Sequence, residues 1–246
     1  MFKFPFLLLA VFFVSLSAKA EHLFILSGQS NMRGMNPDQS FIPSVQKAFG
    51  KDQCIVVHSG WSGARIQQWH KEWKDSTGAP HKKPEMSGQL YDKMMIGVNA
   101  AIKGKQLDSV TFVWMQGESD AKPMQSDVYK ASFLGVLGQL KKDLKITDIN
   151  YVVGRISDFS MQKERGKNPH WQKVRDVLVE LGTESPRGAW VDTDDLNDGM
   201  QTRGENESKE VVKVTNDLHY TDEGYVILGQ RLAEKAIELV NKHNKK

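Results

Sequence analysis

The chain reads as an α/β protein, a three-layer α/β/α sandwich around a central, mostly parallel sheet of about five strands. Three observations predict this. Five apolar runs of strand length, at 23–26, 55–57, 110–114, 151–153 and 189–191, are continuous rather than alternating. Strands buried on both faces of a parallel sheet have that pattern. Longer stretches of helical period stand between them, and strand–helix alternation implies crossover connections. Several of the runs also lead straight into Gly, Ser or Asp, as expected at the carboxyl edge of such a sheet, where ligands bind.

Taken in order, residues 1–20 read as an export signal, not as structure. Lys3 supplies the positive start, 6–14 is an unbroken apolar run, and Ala18-Lys19-Ala20 gives the small-x-small pattern of a cleavage site. The run is too short for a membrane span, which needs about 20 apolar residues. Cleavage near Ala20 would leave residues 21–246 as a single domain, secreted to a periplasm or to the medium. The run 23–26 opens the sheet, and 55–57 follows it, carrying Cys54 at its start. Cys54 is the sole cysteine, so no internal disulfide is possible, and its apolar neighbours predict a buried, inert thiol.

The irregular stretch 71–87, rich in Pro, Lys and His, is expected to be a surface loop near the active edge. A helix is predicted over 90–102, with Gly104 as its stop. After the strand 110–114, Ser126 is placed to cap a helix with Tyr129, Phe133, Val136, Leu137, Leu140 and Leu144 on one stripe. After 151–153 a helix over 170–181 is expected to stop at Gly182, followed by 189–191. The last helix starts near Thr221, runs through Tyr225, Leu228, Leu232, Leu239 and Val240, and ends in lysines that suit a helix C-terminus.

Charge excludes some partners. The whole chain has 33 Lys+Arg against 30 Asp+Glu, and loss of Lys3 and Lys19 with the signal would leave 31 against 30. A balance so close to neutral gives no reason to expect nucleic acid or a membrane as partner. The oligomeric state is not legible.

Three polar clusters could carry chemistry. Ser27-Gly28-Gln29-Ser30-Asn31-Met32 follows the first strand, and a turn there offers Ser30 as a nucleophile with its own N–H for an oxyanion. Asn216-Asp217-Leu218-His219 precedes the last helix and offers a base beside acids. Trp114-Met115-Gln116-Gly117-Glu118-Ser119-Asp120 runs from a strand into polar residues, and the Gln116 amide could donate to an oxyanion. Each alone also fits a solvated turn. No His/Cys/Asp cluster has convincing metal-ligand spacing, and no metal or cofactor is expected.

Together with Gly63-Ala64-Arg65-Ile66-Gln67-Gln68-Trp69, these clusters resemble the four blocks of the SGNH hydrolases, in family order across the chain. The Gln-Gly-Glu-Ser-Asp form of the third block is similar to the carbohydrate-esterase branch, which includes sialate O-acetylesterase-like proteins and family 6 acetylxylan esterases. The resemblance implies a flavodoxin-like SGNH fold and a serine esterase that removes O-acetyl groups from acetylated oligo- or polysaccharide. It implies Ser30 as nucleophile, His219 as base, and an oxyanion hole of the Ser30 N–H, the Gly63 N–H and the Gln116 amide. Gln29, Asn31, Arg65, Trp69 and Glu118 are candidates for substrate contact.

The chain departs from the family pattern at one point. The usual acid, three residues before the histidine, is here Asn216, and Asp217 stands two before. Asn cannot supply the charge that orients and stabilises an imidazolium. Asp217 is the candidate third member, with a Ser–His dyad, or Glu118 or another carboxylate in the acid's place, as alternatives. The same departure keeps open a catalytically silent carbohydrate-binding protein on this fold. Among other residues, Trp61, Trp69 and Trp73 could stack on a sugar or pack, Trp114 reads as core, and Arg33 and Arg65 flank the site. His58 receives no role. Asp192-Thr193-Asp194-Asp195 could line the pocket, hold calcium, or simply cap and turn.

Overall fold

A computed structural model describes residues 21–162, 166–204 and 208–243. The expected export signal lies outside the described residues. The elements are, in order, β1 (Glu21–Gly28), α1 (Ser30–Gly34), α2 (Phe41–Phe49), β2 (Cys54–Gly60), α3 (Gln89–Ala101), β3 (Leu107–Met115), α4 (Tyr129–Leu144), β4 (Asn150–Gly154), α5 (Pro169–Glu184), β5 (Gly188–Val191), β6 (Gly199–Arg203), β7 (Glu210–Val214) and α6 (Asp222–His243).

The five predicted runs become β1 to β5, which form one sheet in the order β2-β1-β3-β4-β5, parallel at every pairing. Each apolar run is continuous because both faces are covered: α2 and α6 pack on one, and α3, α4 and α5 on the other. All eight residues of β1 and all five of β4 are buried. The order 2-1-3-4-5 reverses between β1 and β3, and such sheets bind ligands in the crevice at that reversal. Gly28 ends β1 opposite both Gly60 of β2 and Met115 of β3. At φ 155°, a Cβ on Gly28 would stand 1.9 Å from the Met115 carbonyl oxygen, so only glycine lets the chain leave the sheet here.

The helices follow the apolar stripes. Tyr129, Phe133, Val136, Leu137 and Leu140 of α4 are buried, as are Leu228, Leu232, Leu239 and Val240 of α6. Thr221 caps α6, its Oγ1 accepting from the Gly224 N–H at 2.9 Å. Among the described residues, no helix is long and apolar enough to cross a membrane.

Several local expectations are corrected. Ser126 does not cap α4, which has Val128 at its N-cap. It sits in a short 3₁₀ turn with its Oγ 2.9 Å from His170 Nδ1. Gly182 does not stop α5, which continues to Glu184. It instead lets the helix approach β5, since a Cβ there would lie 2.6 Å from that of Trp190. Cys54 is half-buried because β2 is an edge strand; its Sγ lies 3.4 Å from the Val45 carbonyl. Burial still pushes the thiol up to about 11, away from the reactive thiolate. The stretch 71–87 packs beside α3 and α4, through the Lys71–Asp92 ion pair and the Lys71 N–H bonded to Gln139 Oε1 at 2.7 Å.

The antiparallel hairpin of β6 and β7 was not anticipated. Its outward residues Met200, Thr202, Val211 and Lys213 are all exposed, so it lacks the apolar run by which the other strands announce themselves.

Candidate active site

At the carboxyl edge, β1 delivers its chain into the first turn of α1, with Ser30 as that helix's first residue. A residue in that position has no intrahelical acceptor for its N–H. Ser30 and His219 line one open cleft of about 660 Å³, together with Arg33, Ser62, Gln201, Thr202, Arg203, Asp222 and Tyr225. They are not hydrogen-bonded to each other, an ordinary condition for a site without substrate. Gly63 lies in the turn beside Ser62 at φ 66°, a left-handed conformation that glycine adopts without strain. Nothing would meet a Cβ on it within 4 Å, so this turn is open to a ligand.

Beneath the cleft runs a buried polar layer that the sequence assigned to substrate. Gln29 is 3% exposed, and its Oε1 accepts from Gln116 Nε2 at 3.2 Å and the Ser119 N–H at 3.2 Å. It clamps the turn after β1 to the turn after β3. Trp69 is fully buried, donates from Nε1 to Ser27 Oγ at 3.0 Å, and sits edge-on to Trp114 with centroids 4.9 Å apart. It is therefore packing, not a sugar platform. Trp73 is also buried, and Trp114 is core as expected. Arg65 does not line the cleft; its charge acts on Asp120.

The Gln116 amide is likewise corrected. It is fully buried, and Nε2 donates to Asp120 Oδ2 at 2.5 Å and to the Ala64 carbonyl at 3.1 Å. Tyr129 donates to its Oε1 at 2.9 Å. An amide so committed supports the floor and offers no donor to the cleft. Asp120 also accepts from the Ile66 N–H at 2.9 Å, so the Gln-Gly-Glu-Ser-Asp block pins the second block in place.

Asn31 and Glu118 are buried too, and so are not open to substrate. Asn31 Nδ2 donates to Glu118 Oε1 at 2.9 Å and to the Leu218 carbonyl at 3.1 Å. Desolvation pushes the Glu118 carboxyl up to about 7, and Asp120 nearby adds to the rise. Asp120 is pushed up to about 6 for the same first reason, burial.

The loop bearing His219 is held from three sides. Gln201 Nε2 donates to the His219 and Tyr220 carbonyls at 3.1 and 2.9 Å. Asn197 Nδ2 donates to the Asp217 carbonyl at 3.0 Å, and the Asp217 N–H returns to the Asn197 carbonyl at 3.2 Å. Tyr220 donates to Thr193 Oγ1 at 2.8 Å. Asn216 is buried at φ 44°, a left-handed conformation for which Asn is among the better-suited residues, and its N–H is bonded to Asp198. Its place is that of a turn residue.

Asp217 does not orient the imidazole. Its Oδ1 accepts the backbone N–H of His219 at 3.0 Å, and its Oδ2 pairs with Arg203. Glu118 does not take the acid's place either, since Asn31 holds its Oε1. Among the described residues no hydrogen bond reaches the His219 ring.

The acid run 192–195 is a scaffold rather than a pocket wall. Asp194 takes a two-pronged ion pair from Arg175 at 2.7 and 2.8 Å, and Asp195 one from Arg231 at 2.7 Å on both prongs. Arg155 joins Asp192 and Asp194. Among the described residues, no group of three or more His, Cys, Asp or Glu is arranged to hold a metal.

Cleft residues missed in the sequence include Gln201, Thr202 and Arg203, because they lie on the unanticipated hairpin, Tyr225, which reads as part of the α6 stripe, and Ser62 and Asp222. The exposed Arg33 faces the cleft with only Ser62 Oγ, at 3.2 Å, as its side-chain partner among the described residues.

Solved structures of known proteins share the fold. Among solved structures, a protein of Arabidopsis thaliana superposes with a TM-score of 0.59 at 19% identity, over 89% of this chain and 98% of that one. A carbohydrate acetylesterase of Xanthomonas citri gives 0.59 at 15% identity, over 91% of this chain and 57% of that one. NanS gives 0.59 at 13% identity, over 93% of this chain and all of its own. At such identities these likenesses speak to the fold alone. No curated protein matches the chain. The family model for carbohydrate esterases described as sialic acid-specific acetylesterases matches residues 33–238, which includes Gly63, Gln116 and His219 and begins just after Ser30. By that match the chain belongs to the sialic acid-specific acetylesterase family of carbohydrate esterases, and it is a carboxylic ester hydrolase.

Proposed function

We propose that the protein removes O-acetyl groups from an acetylated oligo- or polysaccharide through an acetyl-Ser30 intermediate, with His219 as sole proton carrier. One observation carries the reading: Ser30 and His219, 189 residues apart in the chain, line the same cleft at the sheet's topological reversal. As Ser30 Oγ attacks the acetyl carbonyl carbon, His219 takes its proton. The oxyanion is received by the Ser30 and Gly63 N–H groups. His219 then protonates the departing sugar oxygen, leaving acetyl-Ser30. Water attacks that ester with His219 again as base, and acetate leaves. With Asp217 committed to a backbone N–H and to Arg203, the pair acts as a dyad.

The cleft fits a sugar. Ser30, Ser62 and Thr202 bring hydroxyls to its walls and Arg33 and Arg203 guanidinium groups, and no Leu, Ile, Val or Phe is among the described residues that line it. Arg33 is the cation of this wall with no carboxylate partner among the described residues, and a guanidinium is suited to a carboxylate or to paired hydroxyls. Arg33→Met is expected to raise KM for an acetylated sugar about tenfold, as loss of one charged hydrogen bond does, and to leave that for p-nitrophenyl acetate nearly unaltered. Equal changes for both substrates would remove Arg33 from substrate binding. The apolar run before residue 21 supports export, and secretion competence of a fusion of 1–20 to a reporter tests it.

The function itself is tested by acetate release from acetylated oligosaccharides with rapid quenching, and mass spectrometry of the peptide carrying Ser30. An acetylated Ser30 peptide during turnover is expected. Glycan binding with no release of acetate from any acetylated sugar would instead make this a binding protein on an esterase fold.

A further inference from the structure

We infer that Asn31 and Glu118 form a buried positioning pair that sets the His219 base against the Ser30 nucleophile; the inference rests on the Ser30–His219 reading. Asn31 is next in sequence to Ser30 and 1% exposed, and both its amide hydrogens and its carbonyl oxygen are engaged. One amide hydrogen goes to Glu118 Oε1 at 2.9 Å and the other to the Leu218 carbonyl at 3.1 Å. Its Oδ1 accepts the Tyr225 hydroxyl at 3.1 Å. The four segments tied by this one side chain are the nucleophile turn, the turn after β3, the base's loop and α6.

The contact with Leu218 matters most. Its carbonyl belongs to the peptide plane that enters His219, and a peptide plane is rigid. Fixing that oxygen fixes the tilt of the plane, and with it the direction in which the His219 side chain leaves the backbone. Gln201 holds the next carbonyl, that of His219 itself, so the planes on both sides of the base are pinned. The acid that would orient the imidazole directly in a triad has no counterpart on the ring here, so backbone pinning carries the orientation. Glu118 keeps Asn31 in register: its Oε1 accepts the second amide hydrogen, and without it the amide could rotate away from Leu218. Its Oε2 is buried without a hydrogen-bond partner among the described residues, so Asn31 is the side chain that ties this carboxyl to the site.

The test separates positioning from packing with near-isosteric changes. Asn31→Asp keeps the volume and the acceptor for Tyr225 but has no donor for the Leu218 carbonyl, and it sets a second carboxyl against that of Glu118. It is expected to lower kcat roughly 100-fold, the scale of a misplaced catalytic group, with KM within about twofold. Adding Glu118→Gln restores a hydrogen bond with donor and acceptor exchanged, and is expected to recover about tenfold of the loss. Hydrogen exchange over 216–221 should quicken in the single variant and stay faster than wild type in the double one, which still lacks a donor to the Leu218 carbonyl. An Asn31→Asp enzyme within about threefold of wild type, or a loss that appears in KM alone, overturns the inference. So does unaltered exchange over 216–221, and this last result needs no turnover. It decides the coupling even if the wild type proves unable to release acetate, an outcome that would sink the esterase reading separately.

Discussion

Ser30→Ala is expected to bring acetate release down to background, a loss of roughly 10⁴-fold or more, with the fold and its thermal melt preserved. The size of the effect follows from covalent catalysis. Without Oγ there is no acyl-enzyme, and the remaining N–H donors and substrate contacts supply only the residual acceleration. The informative contrast is Asp217→Asn. In a triad, removing the acid's charge costs about 10⁴-fold because the imidazole loses both its tautomer and its counter-charge. Here the carboxylate accepts the His219 backbone N–H and pairs with Arg203. An Asn at that position still accepts the backbone hydrogen, so a loss of about tenfold or less is expected, the scale of one surface ion pair and its hydrogen bond. If the two variants fall equally, Asp217 reaches the ring during turnover and the dyad reading is wrong.

Stability should depend on pH through the acids beneath the site. Burial raises Glu118 from its ordinary 4.5 to about 7 and Asp120 from 3.8 to about 6. A carboxyl raised on folding is held preferentially in its protonated form. Its penalty is therefore absent below the unfolded value, grows as pH climbs between the two values, and is complete above the folded one. Each group costs on the order of 3 kcal/mol at full ionisation, and the two act on each other, so the partition between them is coupled. His22 and His70, both lowered by burial, act in the opposite sense up to about their unfolded value of 6.5. The clean readout is thus a difference. Urea unfolding of Glu118→Gln against wild type is expected to show the variant gaining by on the order of 3 kcal/mol between pH 5 and pH 8. A difference that stays constant over that range would mean Glu118 is already ionised and solvated in the folded protein.

Much of the architecture is legible in the residues because each signal is local. Continuous apolar runs at 23–26 and 151–153 mark strands covered on both faces, and both are fully buried. The stripe of Tyr129, Phe133, Val136, Leu137 and Leu140 marks one helix face, and that face is in the core. Where signals were misread, a tertiary contact had taken over the residue. Gly182 has the look of a stop, but its missing side chain serves the approach of α5 to Trp190. Ser126 has the look of a cap, but its hydroxyl meets His170 from another helix. The hairpin of β6 and β7 has an exposed outer face and no long apolar run to reveal it, yet it supplies part of the cleft wall.

The site divides along the same line. From the sequence by itself follow the sheet, the turns that end its strands, and the place of Ser30 and Gly63 after the first two of them and of His219 before the last helix, because chain direction and apolar pattern are properties of consecutive residues. The family's blocks are written in the same consecutive residues. Which side chains face the cleft and which lie under it was decided only by packing. Gln29, Asn31, Gln116 and Glu118 are as polar as any ligand-binding residue, but each spends its hydrogen bonds on a neighbour dozens of residues away. Asn216 and Asp217 stand side by side with near-identical shapes, yet one takes a left-handed turn position and the other accepts the backbone N–H of His219. A polar residue's role depends on where its partner lies, and that partner is adjacent only in the folded chain.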